Sequence, residues 1–477
     1  MREYDIVIGL EVHAQLLTST KIFCGCSTKA GLPPNTNTCP VCMGMPGILP
    51  VLNRKVVAYG IKLGLATHCS ITRRNIFARK NYFYPDLPKG YQITQYENPL
   101  GEHGFLEIEV GHSSKRIGIT RIHMEEDAGK NIHDEHEPLS YVDFNRAGVP
   151  LLEIVSEPDI TSTEEAVAYL KELRQVLMYL DICDGNMEEG SFRCDANISV
   201  KPAGSEQFGI RTELKNMNSF KNVQKALEFE INRHIGIVKS GGRVEQDTML
   251  WNAAENRTYS MRSKEESHDY RYFPEPDLLP LEVDDAWIEE VRSLLPELPS
   301  ARRRRFQLQY GIPEYDADVL TQSKPLADYF EKCTHLLDSP KEISNWIMTS
   351  VLRVLNEKGI DISALTVTPE MLTDMLSLIK KGTISISMAK DVFSEMAGTG
   401  RSSAEIVKSR GLEQVSDEVD LRDKVRDIIE NNPAETEKYR AGKTQLLGFF
   451  VGQLMKATRG KANPKIANKI IKEMLDS

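Results

Sequence analysis

The sequence lacks the segments that direct a chain into or across a membrane. Its first residues, MREYDIVIGL, show no basic stretch ahead of an apolar core of roughly 7–15 residues, and Glu11 interrupts the apolar run. No other apolar stretch reaches the ~20 residues that a membrane-spanning helix needs. We therefore expect a cytoplasmic protein with no membrane contact, whose eight cysteines are reduced.

Several common catalytic motifs are also missing. No G-x-G-x-x-G opens a helix after a strand, and Gly442-Lys443-Thr444 fails as a P-loop because Glu437 stands where its first glycine should be. A G-x-S-x-G nucleophile elbow is absent, and no cysteine has a convincing base partner. We therefore expect any ATP to bind without a P-loop, and we do not expect this chain to hydrolyse glutamine.

The charge balance argues at first against a nucleic-acid partner. The 477 residues include 59 Lys and Arg against 69 Asp and Glu, a net charge of -10, with an otherwise ordinary globular composition. The distribution is uneven, however, because nine basic residues and no acidic one lie between Lys438 and Lys472. A basic helix is often only a solvated face, but so long a run without carboxylates favours contact with a phosphate backbone.

The pattern of the sequence changes near Leu294 and predicts an α+β fold in three domains. Strand-like alternation dominates residues 1–293, where Ile6, Ile8, Leu10 and Val12 alternate with polar residues, and Ser162 with Glu165 reads as a capping box. A proline-punctuated linker, LLPELPS, precedes helical periodicity that includes candidates at 367–381 and 420–430. We predict an antiparallel-sheet domain covered by helices on one side (1–293), an all-α domain (294–405) and a small α-helical tail domain (406–477).

Carboxylates and a histidine on one strand face are candidates for metal ligation. Glu11 and His13 are two residues apart, so both point to the same side of their strand. The acidic run HMEEDAGK and Glu153 in LLEIVSEPD add enough oxygen ligands for one or two Mg²⁺ ions. The alternative is that these side chains are ordinary surface carboxylates.

Four cysteines are spaced as in a structural zinc site. Cys24, Cys26, Cys39 and Cys42 read C-x-C, twelve residues, C-x-x-C, and the intervening segment is rich in turn formers. Four unrelated thiols or a redox C-x-x-C are the alternatives. A closed four-cysteine site is structural, so we assign it no catalytic role.

Two segments combine cations with aromatic residues. RKNYFYPDLPKGYQIT at 79–94 and DYRYFPEPDLLP at 269–280 would suit a phosphate together with a stacked base. Equally, they would suit proline-rich loops whose aromatic rings pack on their own domain.

Seven blocks together resemble a known family. GLEVHAQL, RKNYFYPDLPKGYQITQ, RIHMEEDAGK, VDFNRAGVPLLEIVSEPD, EEGSFRCDANIS, ELKNMNSF and DYRYFPEPD resemble the B subunits of the bacterial tRNA-dependent aspartyl/glutamyl amidotransferases, in order along the chain. The resemblance implies a cradle domain similar to glutamine synthetase, and a helical domain and tail that hold tRNA. It further implies a heterotrimer with an amidase-type glutaminase subunit and a small third subunit.

The same resemblance implies an activity. The protein would bind mischarged Glu-tRNA(Gln) or Asp-tRNA(Asn), phosphorylate the side-chain carboxylate with ATP and Mg²⁺, and let ammonia from its partner displace phosphate. Such a protein is a glutamine-hydrolysing carbon–nitrogen ligase. The rival hypotheses are a non-catalytic tRNA-binding scaffold and a stand-alone carboxylate–amine ligase that acts on a small molecule.

Individual residues follow from the matched blocks. The expected Mg²⁺ ligands are Glu11, His13, Glu126 and Glu153, with Glu125 as the neighbour that stays open. Arg193 or Lys80 would bind the transferring phosphoryl group, and Lys89 the incoming carboxylate. Secondary contacts to ATP or metal would come from Arg193, Asp195, Asn197 and Lys215. The expected tRNA contacts in the tail come instead from the basic run between Lys438 and Lys472, and they are Lys443, Lys456, Arg459, Lys461 and Lys465.

Overall fold

The computed structural model describes residues 3–111, 113–133, 138–261, 270–412, 418–458, 462 and 464–476, without the side chains of 418–420, 464 and 465. The chain forms two compact units, Met1–Pro299 and Ser300–Ser477. The division into three domains therefore stays a prediction.

The first unit is built on a large sheet. Its strands are β1 (Tyr4–Gln15), β2 (Ser70–Ile71), β3 (Arg74–Asn75), β4 (Phe77–Asn81), β5 (Tyr91–Gln95), β6 (Gly101–Val110), β7 (Ser113–Glu126), β8 (Lys130–His133), β9 (Ser140–Asp143), β10 (Pro150–Ser156), β11 (Phe192–Pro202), β12 (Thr212–Met217), β13 (Thr248–Asn252), β14 (Arg257–Ser260), β15 (Phe273–Pro274) and β16 (Leu281–Glu282). Within the described residues, twelve strands form one sheet in the order β14-β13-β12-β11-β1-β10-β7-β5-β4-β15, with β6 on β7 and β2 on β6.

The sheet is mixed rather than purely antiparallel. Strand β12 pairs with β13 in parallel, whereas β1 pairs antiparallel with both β10 and β11. A parallel pair needs a crossover, and the helix between β12 and β13 (Phe220–Lys239) provides it. The prediction of an antiparallel sheet is thus corrected at this one pair.

Helices cover one face of the sheet. They are α1 (Arg54–Ala66), α2 (Thr163–Tyr179), α3 (Phe220–Lys239) and α4 (Asp285–Ser293). Ile8, Leu10 and Val12 of β1 are buried against these helices in the core of the unit, so the alternate residues of β1 point to the other face. We call that other side the open face.

The capping of α2 differs in one detail from the sequence prediction. The Ser162 side chain accepts a hydrogen bond from the Glu165 N–H at 3.1 Å. The Glu165 carboxylate, however, accepts from the Thr161 N–H at 2.7 Å, and not from the N–H of Ser162. The helix therefore begins where the sequence predicts, with a different partner for its glutamate.

The second unit is helical throughout its described residues, as predicted. Its helices are α5 (Pro299–Tyr310), α6 (Glu314–Leu320), α7 (Lys324–Leu336), α8 (Pro340–Trp346), a π-helical turn (Ile347–Val351), α9 (Leu352–Lys358), a 3₁₀ turn (Ile362–Ala364), α10 (Pro369–Lys380), α11 (Ile386–Thr399), α12 (Ser403–Arg410), α13 (Glu418–Glu430), α14 (Pro433–Arg440), a second 3₁₀ turn (Thr444–Leu446), α15 (Leu447–Ala457) and α16 (Pro464–Asp476). Two separate hydrophobic clusters lie here, one from Phe306 to Val407 and one from Leu421 to Leu475. In the part of the chain that the structure describes, no helix is long and apolar enough to cross a membrane.

Candidate active site

A row of charged side chains crosses four strands on the open face. The register places His123 of β7 opposite Glu153 of β10, Glu153 opposite His13 of β1, and His13 opposite Arg193 of β11. Directly paired residues in a sheet point to the same side, so the four side chains stand next to one another. Glu125, two residues beyond His123, shares this face.

The two histidines and two glutamates of this row are in direct contact. His13 Nε2 lies 3.2 Å from Glu153 Oε2 and 3.5 Å from Glu125 Oε1. His123 Nε2 lies 3.2 Å from Glu153 Oε2 and 3.8 Å from Glu125 Oε2. One ligand atom each from His13, Glu125 and Glu153 falls within 4.8 Å of the others, close enough to hold a metal ion. We call these four residues the His–Glu cluster.

The two carboxylates of the cluster favour the protonated form of each imidazole. Burial disfavours the charged form of His123, but the negative charge of Glu153 and the hydrogen bonds to both glutamates outweigh it and raise the pKa to about 9. Burial also disfavours the charged form of His13, but hydrogen bonding to Glu153 outweighs burial and raises the pKa of His13. A metal ion that binds through one of these imidazoles requires its neutral form, so metal binding and protonation compete at this site.

His123 is the functional candidate that the sequence interpretation missed. It is almost fully buried, and its Nδ1 atom has no hydrogen-bond partner among the described residues. The signal was present in RIHMEED, since His123 and Glu125 are two residues apart, as are Glu11 and His13. A histidine and a carboxylate at that spacing share a strand face.

Glu126 lies outside the His–Glu cluster. Glu126 follows Glu125 on β7, so it points to the opposite side of the strand. Its carboxylate pairs with the Lys89 ammonium and accepts a hydrogen bond from the Ile93 N–H at 2.8 Å. Of these two neighbours on β7, Glu125 is therefore the one that belongs to the cluster. Lys89 is engaged in this buried pair and does not face the His–Glu cluster.

A second polar row lies beside the cluster and contains Glu11. Glu11 is paired with Asp195 across β1 and β11, and its Oε1 accepts a hydrogen bond from Asn197 Nδ2 at 3.0 Å. Lys215 Nζ lies 2.7 Å from Asp195 and 2.8 Å from Glu213. Burial, followed by the charges of nearby carboxylates, raises the pKa of Glu11. A carboxyl group whose pKa is shifted by burial and by like charges is typical of functional sites.

Arg193 supplies a positive charge at the end of the first row. Its Nη2 atom lies 3.1 Å from Asp127 Oδ1, and Arg146 Nε lies 3.5 Å from the other oxygen of that carboxylate. The Arg193 side chain is 35 % exposed, so part of its guanidinium can still reach a bound anion.

A cavity of about 300 Å³ adjoins Glu11. It contains an open-face glycine of β1, Gly9, where a Cβ would meet no atom within 4 Å. The absence of a side chain there keeps the cavity open over the β1–β11 pair. Polar and aromatic groups that line it are Glu11, Asn197, Ser199, Arg211 and Phe208.

The four clustered cysteines come together as the spacing predicts. Their Sγ atoms all lie within 4.8 Å of one another, so the four thiols could hold a metal ion. The Cys39 N–H donates to Cys42 Sγ at 3.2 Å, and the fully buried Lys21 donates from Nζ to the same sulfur at 3.6 Å. Hydrogen bonding from the Cys24 thiol is the main cause that lowers the pKa of Cys42 to about 4.

Lys21 also ties this loop to its surroundings. Its ammonium donates to the carbonyl oxygens of Asn37 at 2.7 Å and of Phe144 at 3.3 Å. The positive charge lies next to sulfur atoms that become thiolates when they bind a metal.

Only part of the expected tail contacts can be placed. Lys443 and Lys456 are exposed, as are four further basic residues of the same run, Lys438, Arg440, Lys469 and Lys472. Arg459 and Lys461 lie outside the described residues, and Lys465 is in α16 with its side chain outside them. The tRNA-binding role of this run stays a prediction.

Comparison with known proteins identifies the family. Residues 6–289 match the family described as the GatB/GatE catalytic domain, and residues 328–475 match the GatB domain. The aspartyl/glutamyl-tRNA(Asn/Gln) amidotransferase B subunit of Thermodesulfovibrio yellowstonii is 55% identical over 473 residues, 99% of each chain. The protein of that name from Geotalea daltonii is 57% identical over 476 residues, again 99% of each chain. The chain therefore belongs to the family of aspartyl/glutamyl-tRNA(Asn/Gln) amidotransferase B subunits.

Proposed function

We propose that this chain is the subunit that amidates mischarged Glu-tRNA(Gln), Asp-tRNA(Asn) or both. It phosphorylates the side-chain carboxylate of the esterified amino acid with ATP, and ammonia then displaces the phosphate. The His–Glu cluster carries this proposal. Two carboxylates and two imidazoles that are largely buried side by side are costly to assemble unless they serve a ligand.

The donor set fits a divalent cation such as Mg²⁺. Glu125 and Glu153 offer the hard oxygen ligands that Mg²⁺ prefers, and His13 offers a nitrogen from the facing strand. The unpartnered Nδ1 of the buried His123 supports a polar function for this group. Bound there, the cation would neutralise the charge that develops on the transferring phosphoryl group.

The cavity beside Glu11 fits ATP. Its volume, the open space at Gly9 and the position of Arg211 and Phe208 on its walls suit a nucleoside with phosphates directed toward Glu11. Asp195, Asn197 and Lys215 then border the triphosphate, as the family resemblance implies. A second Mg²⁺ at Glu11 is consistent with the burial and the like charges around that carboxylate.

The remaining residues hold and orient the reactants. Phosphoryl transfer needs reactants in line and compensated charge more than it needs covalent help from the protein. The partly exposed guanidinium of Arg193, at the end of the first row, contacts the phosphoryl group and is itself oriented by Asp127. Lys89 contributes through its buried pair with Glu126, which supports β7 beneath Glu125.

Partner proteins supply what the chain lacks. The sequence contains no nucleophile motif for glutamine hydrolysis, so ammonia comes from an amidase-type glutaminase subunit in a heterotrimer with a small third subunit. The exposed lysines of the tail contact the tRNA backbone. The four cysteines bind one structural Zn²⁺, and Lys21 offsets part of the negative charge of four thiolates.

A transamidation assay of the reconstituted complex tests this proposal. Mischarged Glu-tRNA(Gln) and Asp-tRNA(Asn) are offered separately with glutamine, with and without ATP. We expect amide formation on at least one of them, strictly dependent on ATP. Changing His13 to Ala should abolish amidation while glutamine hydrolysis in the complex persists.

Two results would favour the rival hypotheses. If His13→Ala amidates as fast as the unchanged complex, the chain is a scaffold whose acidic face is structural. If the purified chain converts free glutamate with ATP and ammonia in the absence of tRNA, it is a small-molecule ligase.

A further inference from the structure

The two aromatic segments of the sequence meet at one edge of the sheet. Strand β15 pairs with β4, with Phe273 opposite Arg79 and Pro274 opposite Ala78. The Asn81 N–H donates to the Tyr270 carbonyl oxygen at 3.0 Å, and Asn81 Nδ2 donates to the Arg271 carbonyl oxygen at 2.8 Å. Segments almost 200 residues apart in the chain thus form a single surface.

Four tyrosines form a continuous series of ring contacts on this surface. The rings of Tyr96 and Tyr272 are stacked, with centroids 4.1 Å apart and an interplanar angle of 4°. Tyr272 meets Tyr270 edge to face at 6.0 Å, and Tyr270 meets Tyr82 in the same manner at 6.0 Å. We call Tyr82, Tyr96, Tyr270 and Tyr272 the tyrosine arc.

The tyrosine arc lies on the open face, next to the His–Glu cluster. Thr94 is opposite Glu125 in the sheet, and its Oγ1 lies 3.4 Å from Glu125 Oε2. Tyr96 follows directly after the last residue of β5, and the charges of Glu153 and Glu125 help burial to raise the pKa of its stacking partner Tyr272. The stacked pair therefore stands at the edge of the cluster, beside Glu125.

A lysine lies among the rings. Lys80 Nζ is 4.9 Å from the ring centroid of Tyr270 and 5.8 Å from that of Tyr82. Within the described ranges, no carboxylate pairs with Lys80. An ammonium that lies over aromatic rings, with no carboxylate partner among the described residues, is available to donate hydrogen bonds to a phosphate.

The surface is open to solvent and extends beyond the arc. Tyr96 is 47 % exposed, and the two residues after Tyr82 are among the most exposed aromatic residues of the described chain, with Phe83 at 89 % and Tyr84 at 61 %. Exposed aromatic rings next to a basic side chain are typical of surfaces that bind single-stranded nucleic acid by stacking.

We propose that the tyrosine arc and Lys80 dock the single-stranded 3′ end of the aminoacyl-tRNA. The terminal bases stack on the rings, Lys80 contacts a phosphate, and the aminoacyl group extends toward Glu125. This inference rests on the proposed function and adds to it the place where the acceptor substrate binds.

The position of the arc favours the tRNA end over the nucleotide of ATP. The cavity beside Glu11 lies over β10, β1 and β11, whereas the arc lies beyond β7, on the β5–β4–β15 side of the His–Glu cluster. A phosphoryl donor and its acceptor must approach the transfer site from opposite sides. If ATP occupies that cavity, the aromatic surface beyond β7 is left for the acceptor.

Matched variants of Tyr96 test the proposal in the reconstituted complex. Tyr96→Ala removes the outer ring of the stacked pair, whereas Tyr96→Phe keeps it. The control is Tyr259→Ala on β14, at the opposite edge of the same sheet. Binding is measured for intact deacylated tRNA and for tRNA shortened by its single-stranded 3′ nucleotides, and ATP binding is measured separately.

We expect Tyr96→Ala to weaken binding of intact tRNA by about 5- to 150-fold, the loss that corresponds to ~1–3 kcal/mol for one stacked base. It should not affect binding of shortened tRNA or of ATP. Tyr96→Phe and Tyr259→Ala should bind both tRNAs normally.

Two outcomes would overturn the proposal. An equal loss for intact and shortened tRNA would mean that the arc does not contact the 3′ end. A loss of ATP affinity with tRNA binding unchanged would assign the arc to the nucleotide. Both outcomes are distinguishable from failure of the proposed function, because tRNA binding is read without any amidation step.

Discussion

Neighbouring glutamates on β7 offer a matched test, because Glu125 and Glu126 point to opposite faces of one strand. Glu125 faces His13 and His123, and Glu126 is paired with Lys89. Changing each to glutamine keeps its size and removes its charge. We expect the first change to impair metal binding and amidation, and the second to impair folding.

The structure gives the expected magnitudes. The side chains of Lys89 and Glu126 are 8 % and 4 % exposed, and removal of one partner from a buried ion pair costs roughly 3–5 kcal/mol. Because a glutamine at 126 could still accept the hydrogen bond from the Ile93 N–H, we expect the lower end of that range. Loss of Glu125 costs less stability, since His13 and His123 can release a proton whereas Lys89 retains its charge. Its effect on the amidation rate should be about 10²–10³-fold, as for other charge-stabilising groups.

Three measurements on both variants separate these effects. Isothermal titration with Mg²⁺ or Mn²⁺ reports the cation site, ATP-dependent amidation reports the chemistry, and urea unfolding reports stability. We expect Glu125→Gln to lose cation affinity and rate with a small change in urea midpoint. We expect Glu126→Gln to lower the midpoint and to retain cation affinity. The opposite pattern would refute the assignment of Glu125 to the cluster.

Three further predictions concern other parts of the chain. Metal analysis should find about one zinc per chain. The Cys39→Ser variant should lose this zinc and unfold at a lower urea concentration, because structural zinc contributes roughly 10–16 kcal/mol in finger peptides. An unchanged urea midpoint would contradict a structural role. Burial opposes ionisation of Glu230, but hydrogen bonds from His234, Arg233 and Thr258 outweigh it and lower its pKa to about 2. The ionised carboxylate should therefore add about 3 kcal/mol to the free energy of unfolding. This contribution should be complete above pH ~4.5 and be lost as the pH falls toward 2. The difference in free energy of unfolding between the unchanged chain and the Glu230→Gln variant should decrease over that pH range. A constant difference would refute the predicted contribution of Glu230. Deletion of residues 413–477 spares Leu412, which packs against the preceding hydrophobic cluster. This deletion should weaken tRNA binding and reduce its salt dependence, while ATP binding is retained. Unchanged tRNA affinity would exclude the tail as a contact.

Alternation along single strands was predictable from the sequence. The period-2 pattern of β1 places Glu11 and His13 on one face, and the buried Ile8, Leu10 and Val12 confirm the phase. The same reasoning could have distinguished Glu125 from Glu126, because Ile122 and Met124 are fully buried and set the phase of β7. The three consecutive acidic residues in HMEEDAGK do not alternate with apolar residues, so this run alone does not indicate which of them faces the core.

Pairings between distant segments were not predictable. The contact of His123 with Glu153 depends on the β7–β10 register, and the union of the two aromatic segments depends on β15 pairing with β4. Two-residue strands such as β15 carry too little pattern to identify their partner. The parallel pairing of β12 with β13 is likewise set by the packing of α3 on the sheet.

Formation of the phosphorylated intermediate tests the central claim most directly. The reconstituted complex is given mischarged Glu-tRNA(Gln) and ATP labelled in its γ-phosphate, with glutamine and ammonia left out, and labelled aminoacyl-tRNA is quantified. The unchanged complex should transfer label to the aminoacyl group, and Glu153→Gln, which removes the charge shared by His13 and His123, should transfer it about 10²–10³-fold more slowly. Transfer at the same rate by both would contradict the assignment of the His–Glu cluster to phosphoryl transfer.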